Sequence, residues 1–344
     1  AAYAYSRAGK ADLQELAIQA ALNTKDETII PDALMLRARM ELSEKNFLAA
    51  ARSLDEYLTR FPMAKDAPEA NYLRGLIFFQ NKDFAPAEAA LAKACTLGTE
   101  ANTTCRPLSH DRRIDALLRR AQALHTLGQS NEAAELLQPI IEMKDAEKLD
   151  PTYLNWLAEF RLSRKEWAMA EHAARLMVTR TTPNSAHRLS AHVLNGRAHE
   201  GLGNNDSALV AYLAAREIKL ETPTMKTTEA ALGAGRMYLL AGEHQKAREA
   251  FYDVTKYANQ ETQQGRMQMA EAFHGIATAC KALKLDDEAL RTNMRLIIFF
   301  GKDTPYVEQA YLDAIAILRS RGESEKEKLQ SLCEEYEAKY QKKL

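Results

Sequence analysis

A pattern of residue types that returns seven times constrains the fold of this chain more than any other feature of the sequence. Each copy has a glycine or alanine, a lysine or glycine seven residues later, and an alanine twelve residues after the first position. The best-preserved copy has Gly75, Lys82 and Ala87 at these positions, with Phe84 between the last two. Glycine inside a helix costs roughly 1 kcal/mol relative to alanine, so we expect Gly75 to let a neighbouring helix approach closely and one copy stack against the next. The polar residues before Phe84 indicate a turn, and each copy is therefore predicted to be two short helices.

The copies follow one another at the spacing of stacked helical repeats. The interval from Ala38 to Gly75 is 37 residues, and the longest, from Gly75 to Ala121, is 46. A helix pair buries only one face against itself, so its other face needs a neighbour of the same kind. The first and turn positions are Ala38 and Lys45, Gly75 and Lys82, Ala121 and Gly128, Ala158 and Lys165, Gly196 and Gly203, Gly235 and Gly242, and Ala277 and Lys284.

Composition supports an all-α fold and excludes several kinds of protein. Alanine and leucine dominate, and stretches rich in Val, Ile and Thr are scarce, which disfavours sheet. The 46 Lys and Arg against 47 Asp and Glu leave a net charge of -1, so we predict no nucleic-acid partner. Neither a transmembrane stretch nor a signal peptide is visible, and we predict a soluble protein without membrane insertion. Because the sequence begins at Ala1 and not at Met, we expect a processed protein or an excised fragment.

Three regions are predicted. Residues 1–30 are expected to hold a partial helical hairpin, because Gly9 and Lys10 suit the turn after a shortened first helix. Residues 31–300 contain the array of about seven helix pairs. Residues 301–344 end in a strongly charged helix, which suits a C-terminal cap whose outer face meets water.

The pattern resembles the tetratricopeptide-repeat family over residues 31–300. The small residue, the bulky residue nine positions later and the alanine match the family, although Asn205 and Asp286 replace the bulky residue. Arg37, Arg74 and Arg120 stand where the family usually has leucine. The resemblance implies a right-handed superhelix, an α-solenoid of stacked antiparallel helix pairs, whose first helices line a concave groove for a protein or extended peptide.

A narrower resemblance concerns residues 57–84, with the sequence YLTRFPMAKDAPEANYLRGLIFFQNKDF. This stretch is similar to tetratricopeptide proteins of the bacterial periplasm, including members associated with outer-membrane assembly and with Tol-Pal. It implies a place in a bacterial cell-envelope assembly, with a cytoplasmic protein as the other interpretation.

The register that the resemblance implies also selects candidate groove residues. They are Tyr72, Leu76, Phe79, Gln122, Asn155, Trp156, Glu159, Arg197 and Arg236. We interpret the three aromatic residues as anchors for a peptide, because aromatic side chains and arginine dominate many interfaces; packing between repeats is the alternative. The two arginines are candidates for holding a carboxylate. In the alternative they are solvated or paired with Glu200 and Glu229.

No catalytic signature is present. The phosphate loop, the nucleophile elbow and the zinc helix motifs are absent, so the sequence predicts no enzyme and no cofactor. His192 and His199, with Glu200, could be imagined as metal ligands. A metal site would need a converging third ligand and its second shell, so we expect exposed or packed histidines and no metal site. The leading hypothesis is a non-catalytic scaffold. The alternative is a spacer or docking arm within a larger chain, which would use its convex face or its ends. Catalytic turnover by this chain would refute both hypotheses.

The four cysteines lack the spacing of a metal site. Cys95 and Cys105 enclose a polar loop that a disulfide could close, and two unbonded thiols are the alternative. Cys280 and Cys333 lie in predicted helices and are expected to be packed or unreactive.

Overall fold

The protein is all-helical in the part of the chain that the structure describes. A computed structural model describes residues 2–8, 11–24, 26–99, 104–142, 149–300 and 304–343, and these contain helices and turns but no strand. The all-α solenoid of stacked antiparallel helix pairs predicted from the sequence is confirmed.

The chain divides into two compact units, Ala1–Ala146 and Glu147–Leu344. The N-terminal unit contains α1 (Ala2–Arg7), α2 (Ala11–Leu22), α3 (Ile30–Ser43), α4 (Phe47–Arg60), α5 (Ala67–Gln80), α6 (Phe84–Thr96), α7 (His110–Thr126) and α8 (Ser130–Glu142). The C-terminal unit contains α9 (Pro151–Ser163), α10 (Trp167–Arg180), α11 (Ala186–Gly201), α12 (Asn205–Arg216), α13 (Met225–Leu240), α14 (His244–Tyr257), α15 (Gln263–Ala282), α16 (Asp286–Phe299), α17 (Val307–Arg321) and α18 (Lys326–Tyr340), with a 3₁₀ turn before α18.

The repeated pattern sets the boundaries of the helices from α3 to α16. In every copy the residue nine positions after the small residue is the first residue of the second helix, whatever its type. Asn205 and Asp286 are therefore the first residues of their helices, as expected, although neither is bulky. A residue at the start of a helix contributes less to the core than one in its middle. The copies correspond to α3 with α4, α5 with α6, α7 with α8, α9 with α10, α11 with α12, α13 with α14, and α15 with α16. The boundaries at residues 30 and 300 stay a prediction, and Gly9 and Lys10 lie outside the described residues.

The residue seven positions after the small residue of every copy has a left-handed backbone, which explains the glycines found there. The φ angles are 60° at Lys45, 65° at Lys82, 82° at Gly128, 61° at Lys165, 76° at Gly203, 74° at Gly242 and 58° at Lys284. This conformation ends the first helix and reverses the chain. A side chain with a β-carbon is strained there, at a cost of roughly 1 kcal/mol, whereas glycine is not.

We expect Lys165→Gly to raise the free energy of unfolding by roughly 0.5–1 kcal/mol, because glycine removes the β-carbon from a left-handed position. Lys165→Ala is the matched control, and it should leave stability nearly unchanged because alanine keeps the β-carbon. Urea unfolding followed by circular dichroism measures both. A gain of equal size from alanine would show that the lysine side chain, and not the backbone, sets the cost.

The alanine that lies twelve residues after the small residue of each copy is buried, at 0–1% exposure. These alanines are Ala50, Ala87, Ala133, Ala170, Ala208, Ala247 and Ala289. Four residues further on, Leu91, Tyr212 and Phe251 are also buried, so the second helix of each of these pairs inserts a large side chain between first helices.

Glycines make room for these large side chains. A β-carbon on Gly75 would lie 2.7 Å from the Leu91 side chain of the same pair, so this glycine serves contact within its own pair. The Tyr212 ring lies against Gly196 of its own pair and also against Gly233 of the next pair. Phe251 likewise lies between Gly235 and Gly275. In the C-terminal unit, glycine and aromatic residues together join three successive pairs.

The arginines that depart from the family pattern are bound to the second helices. The Arg37 guanidinium donates to Ser53 Oγ at 2.8 Å and pairs with Glu56 at 2.8 Å. Arg74 Nε lies 2.5 Å from Asp55 Oδ1, and Arg120 Nε lies 2.7 Å from Glu88 Oε1. Ion pairs, which are also hydrogen bonds at Arg37 and Arg120, thus replace the apolar contact that leucine would make.

Cys95 and Cys105 are thiols in this structure and pack in different places. Cys95 belongs to the cluster around Leu91, whereas Cys105 packs beside Tyr57 and its Sγ donates to the Met63 carbonyl at 3.5 Å. The structure therefore takes the alternative of unbonded thiols. Burial, which acts against the charged form, raises the pKa of Cys95.

Candidate binding site

The nine sequence-predicted groove residues all lie on first helices of pairs, but they fall into two groups that belong to different units. The N-terminal unit contributes residues of α5 and α7, and the C-terminal unit contributes residues of α9, α11 and α13. The first group is mainly apolar, and the second is mainly polar and charged.

A groove of about 520 Å³ lies between α5 and α7 in the N-terminal unit. It brings together three of the predicted residues, Leu76, Phe79 and Gln122. The structure adds four residues that the sequence did not select, namely Gln80, Lys82, Phe84 and Arg119. Helical periodicity could have found Arg119, because it lies three positions before Gln122 on the same helix. We call this site the Phe79 groove.

Aromatic and cationic contacts fix the floor and the rim of the Phe79 groove. The rings of Phe79 and Phe84 meet edge to face, with centroids 5.6 Å apart. The Arg119 guanidinium lies 5.5 Å from the centroid of the Phe79 ring, and its Nε is 2.8 Å from Asp115 Oδ2. Lys82 stands exposed at the edge. The groove therefore joins an apolar floor to two cations, which suits an apolar side chain next to a carboxylate.

Tyr72 is part of the packing between repeats and does not face the groove. Its side chain is buried, in a cluster with Leu91 and Ala116, and its hydroxyl donates to Asp115 Oδ2 at 2.8 Å. Burial, together with the hydrogen bond to Asp115, raises the pKa of Tyr72 to about 12. The structure thus places this residue in the packing role that was the alternative to an anchor.

Trp156 and Asn155 lie on α9 of the C-terminal unit, and each makes a contact within the protein. Trp156 is half-buried and stacks on Phe160, with centroids 5.5 Å apart and ring planes 19° from parallel. Asn155 Oδ1 accepts a hydrogen bond of 2.6 Å from the Ser190 hydroxyl of α11. Both side chains therefore make contacts within the protein that a ligand would have to share or displace.

A chain of ion pairs crosses the first helices of the C-terminal unit. Glu159 of α9 lies 3.2 Å from the Lys226 ammonium of α13, which also pairs with Glu229 at 3.2 Å. Arg197 of α11 lies 3.2 Å from the same Glu229. These pairs are partly exposed, so each one contributes only a little to stability.

Arg236 lies at the centre of a more buried network. Two of its nitrogens donate to the two carboxylate oxygens of Glu200, at 2.8 and 3.0 Å, and a third donates to Glu271 at 2.6 Å. Glu200 also accepts a 2.6 Å hydrogen bond from the Tyr212 hydroxyl. Helices α11, α12, α13 and α15 meet in this network, which we call the Arg236 cluster.

The electrostatics of the Arg236 cluster favour its charged form. Burial alone raises the pKa of Glu200, but the hydrogen bonds and the charge of Arg236 outweigh it, and the pKa ends below the ordinary value. Burial alone lowers the pKa of Arg236, yet Glu200 and Glu271 raise it overall. Arg197 and Arg236 are therefore in the carboxylate pairs that were the alternative to ligand binding.

Further chemistry is not visible in the described part of the chain. No three His, Cys, Asp or Glu side chains within residues 2–8, 11–24, 26–99, 104–142, 149–300 and 304–343 stand where they could hold a metal ion. In the same ranges, every helix is too short or too polar to cross a bilayer.

Comparison with known proteins confirms the family resemblance predicted from the sequence. Residues 35–102 match the model of a tetratricopeptide-repeat family. No curated protein matches the chain. Among solved structures, a chain of the Naa15/Naa10 complex bound to HypK-THB is similar, with a TM-score of 0.52 and 16% identity over 91% of this chain and 43% of that one. The chain thus spans less than half the length of that neighbour, and the likeness concerns the fold.

Two other neighbours are more distant in structure. A tetratricopeptide-repeat protein from Parabacteroides merdae has a TM-score of 0.38 and 13% identity, over 83% of this chain and 98% of that one. Human IFIT1, in a structure with m7Gppp-AAAA, has a TM-score of 0.41 and 15% identity, over 99% and 79%. The absence of a nucleic-acid partner stays a prediction for this chain.

The repeat fold of this chain suggests a protein-interaction scaffold and is typical of proteins without catalytic activity.

Proposed function

We propose that this protein is a non-catalytic scaffold that binds an extended segment of a partner protein in the Phe79 groove of its N-terminal unit. The observation that carries the proposal is the groove itself, which collects Leu76, Phe79 and Gln122 on the first helices of two neighbouring pairs. In stacked helix pairs these helices line the surface that partners usually bind.

The chemistry of the groove supports a peptide with an apolar side chain beside an acidic one. Phe79 and Phe84 offer ring faces and edges to an apolar side chain, and interfaces draw much of their energy from such aromatic contacts. Arg119 and Lys82 stand at the rim, where a carboxylate would gain a charge-assisted hydrogen bond. Arg119 already has Asp115 as a partner, so the peptide would share this guanidinium, and Lys82 would be the freer cation.

Arg197 and Arg236 are less suited to bind an acidic group of a partner, because both already have carboxylate partners. A ligand carboxylate would have to displace Glu229 or Glu200 from these guanidinium groups, and Glu200 binds through two parallel hydrogen bonds. Displacing a partly buried carboxylate would leave that carboxylate unpaired, which is costly. We therefore assign these two arginines to the stability of the C-terminal unit.

Affinity capture from the source organism, followed by titration of the purified partner, tests this function. Phe79→Ala and Arg119→Glu should each weaken binding by about tenfold or more, since loss of a central aromatic or arginine costs about 1–2 kcal/mol or more. Val210→Ala is the control, because Val210 is an exposed apolar residue of the other unit. Unchanged affinity in both groove variants, with folding verified by circular dichroism, would exclude the Phe79 groove as the binding site.

We further propose that the scaffold works in a bacterial cell envelope. This placement is supported by the sequence resemblance of residues 57–84 to periplasmic tetratricopeptide proteins. Fractionation of the source organism, with detection of the native protein by antibody, is the test. Recovery in the cytoplasmic fraction would contradict the placement and would leave the groove proposal intact.

A further inference from the structure

A second groove, at the C-terminal end of the described chain, has a different character from the Phe79 groove. Helix α17 packs against both α16 and α18, and an open groove of about 690 Å³ runs between those two helices. Its lining is mostly apolar, with Leu318 of α17 at the base. The apolar residues on its walls are Leu290, Met294 and Ile298 of α16 and Leu332 of α18. We call this site the Met294 groove.

One wall of the groove is an apolar stripe that is half-buried at Leu290 and Met294 and exposed at Ile298. Leu290, Met294 and Ile298 recur every four residues, so they lie in one row on α16. At 1.5 Å per residue this row is about 12 Å long, or roughly two helical turns. Ile298 is 68% exposed, and the neighbouring Phe299 is 72% exposed. Large apolar side chains grouped at the surface often mark an interaction site.

The rim beside this stripe, along α16, is basic. Arg291 and Arg295 are both exposed, are one helical turn apart, and line the groove. No carboxylate of the described residues lies within ion-pair distance of either guanidinium. On the opposite rim Glu335 already accepts the Tyr311 hydroxyl at 2.5 Å, and Lys328 is 2.7 Å from Glu325. Glu327 also lines this opposite rim, so the rim along α16 is basic and the rim along α18 is mixed in charge.

We propose that the Met294 groove binds an amphipathic helix of a partner protein, with acidic residues on the flank that meets Arg291 and Arg295. All three walls of the groove are helices, so they offer no edge of free backbone groups to an extended strand. A helix satisfies its own backbone hydrogen bonds and presents apolar side chains at intervals of three and four residues, which match the row on α16.

Charge complementarity selects the acidic flank. Carboxylates one turn apart on the bound helix would face guanidinium groups one turn apart on α16, and each contact would be a charge-assisted hydrogen bond at the edge of an apolar surface. This site lies in the C-terminal unit and shares no residue with the Phe79 groove. The two proposals are therefore tested by different variants and fail independently.

The test uses a synthetic peptide of about 15 residues, near the length at which an isolated helix becomes stable. The acidic peptide has leucines at positions that form one stripe and glutamates along one flank, and a control peptide has lysines in place of the glutamates. Fluorescence anisotropy of the labelled peptides, titrated with the full chain, measures binding. We expect the acidic peptide to bind at least about tenfold more tightly than the lysine peptide, which corresponds to about 1.4 kcal/mol.

Variants of the protein separate the apolar and the charged contributions. Ile298→Glu places a charge in the apolar row at an exposed position, and it should abolish binding without affecting the fold. Replacing Arg291 and Arg295 together by glutamate should reverse the preference between the two peptides. The matched control replaces Arg52 and Arg266 by glutamate, because these exposed arginines lie on other helices and the change in net charge is the same.

Several results would overturn the proposal. These are absence of binding by both peptides, equal binding of both, and unchanged binding by the Ile298→Glu variant. Binding to vesicles with anionic lipid that depends on Ile298 and the two arginines, without peptide binding, would instead assign the surface to a membrane. A dimer seen in sedimentation, lost in Ile298→Glu and not displaced by the acidic peptide, would assign it to a second copy of the chain.

Discussion

Phe251→Ala should lower the free energy of unfolding by about 3–5 kcal/mol, the range seen when a buried phenylalanine is truncated in a well-packed core. Phe251 is 1% exposed and lies between the backbones of Gly235 and Gly275 on two successive first helices. Backbone cannot move into the space that the ring leaves as readily as side chains can, so the cavity persists. Urea unfolding followed by far-ultraviolet circular dichroism measures the loss.

The matched control for this substitution is Phe299→Ala. Phe299 is 72% exposed at the end of α16, in the same unit, so the same atoms are removed but little buried surface is lost. We expect its effect to stay within about 0.5 kcal/mol. Equal losses from the two variants would show that the packing of Phe251 between glycines does not stabilise the unit.

Arg236→Met should destabilise the chain by about 2–4 kcal/mol, because it leaves two partly buried carboxylates without their shared cation. Methionine matches the aliphatic part of the arginine side chain and lacks the guanidinium, so the apolar contacts of that part are largely kept. Glu200 and Glu271 are 29% and 25% exposed, which prevents full compensation by water. The loss is measured as the shift of the urea midpoint at neutral pH.

Arg197→Met serves as the control for the Arg236 prediction. Arg197 is on the neighbouring first helix and forms one ion pair, with Glu229, from a side chain that is 41% exposed. Such a pair contributes at most about 1 kcal/mol. If both variants lost the same amount, the hydrogen bonds of the Arg236 cluster would be no stronger than an ordinary surface pair.

The sequence predicted the helix pairs well because their determinants are local. Lys165 and Gly203 stand at equivalent left-handed positions, and the second helix begins two residues after each, as the spacing indicates. A left-handed turn and a helix start depend on residues within a few positions of each other, so a one-dimensional pattern contains the information. The role expected for Gly75, stacking on the next copy, was wrong, because its contact is Leu91 of the same pair.

The candidate site was harder to predict because its contacts join distant parts of the chain. Tyr72 reaches Asp115, which is 43 residues away, and Arg236 reaches Glu200, which is 36 residues away. Which side chain meets which across two repeats depends on the stacking geometry, and sequence spacing does not fix it. Tyr72 and Phe79 are both aromatic residues on the first helix of one pair, so the sequence did not distinguish them. Only Phe79 lines a groove.

The exposure of the Met294 groove is a second feature that sequence spacing does not predict. Leu290, Met294 and Ile298 have the spacing of core residues, and a helical pattern of that kind usually marks a buried face. Whether another helix covers the face depends on where the array ends in space. The exposure of Ile298 could therefore be known only from the structure.

The aromatic residues held between glycines make neighbouring pairs of this stretch interchangeable. Tyr212 lies against Gly196 in its own pair and Gly233 in the next, and Phe251 lies against Gly235 and Gly275 in the same way. Gly233 and Gly275 both stand two residues before the small residue of their copy, so removal of the α13–α14 pair would bring Tyr212 against Gly275 and keep a glycine under the ring. We therefore expect natural loss or duplication of this one pair to be tolerated.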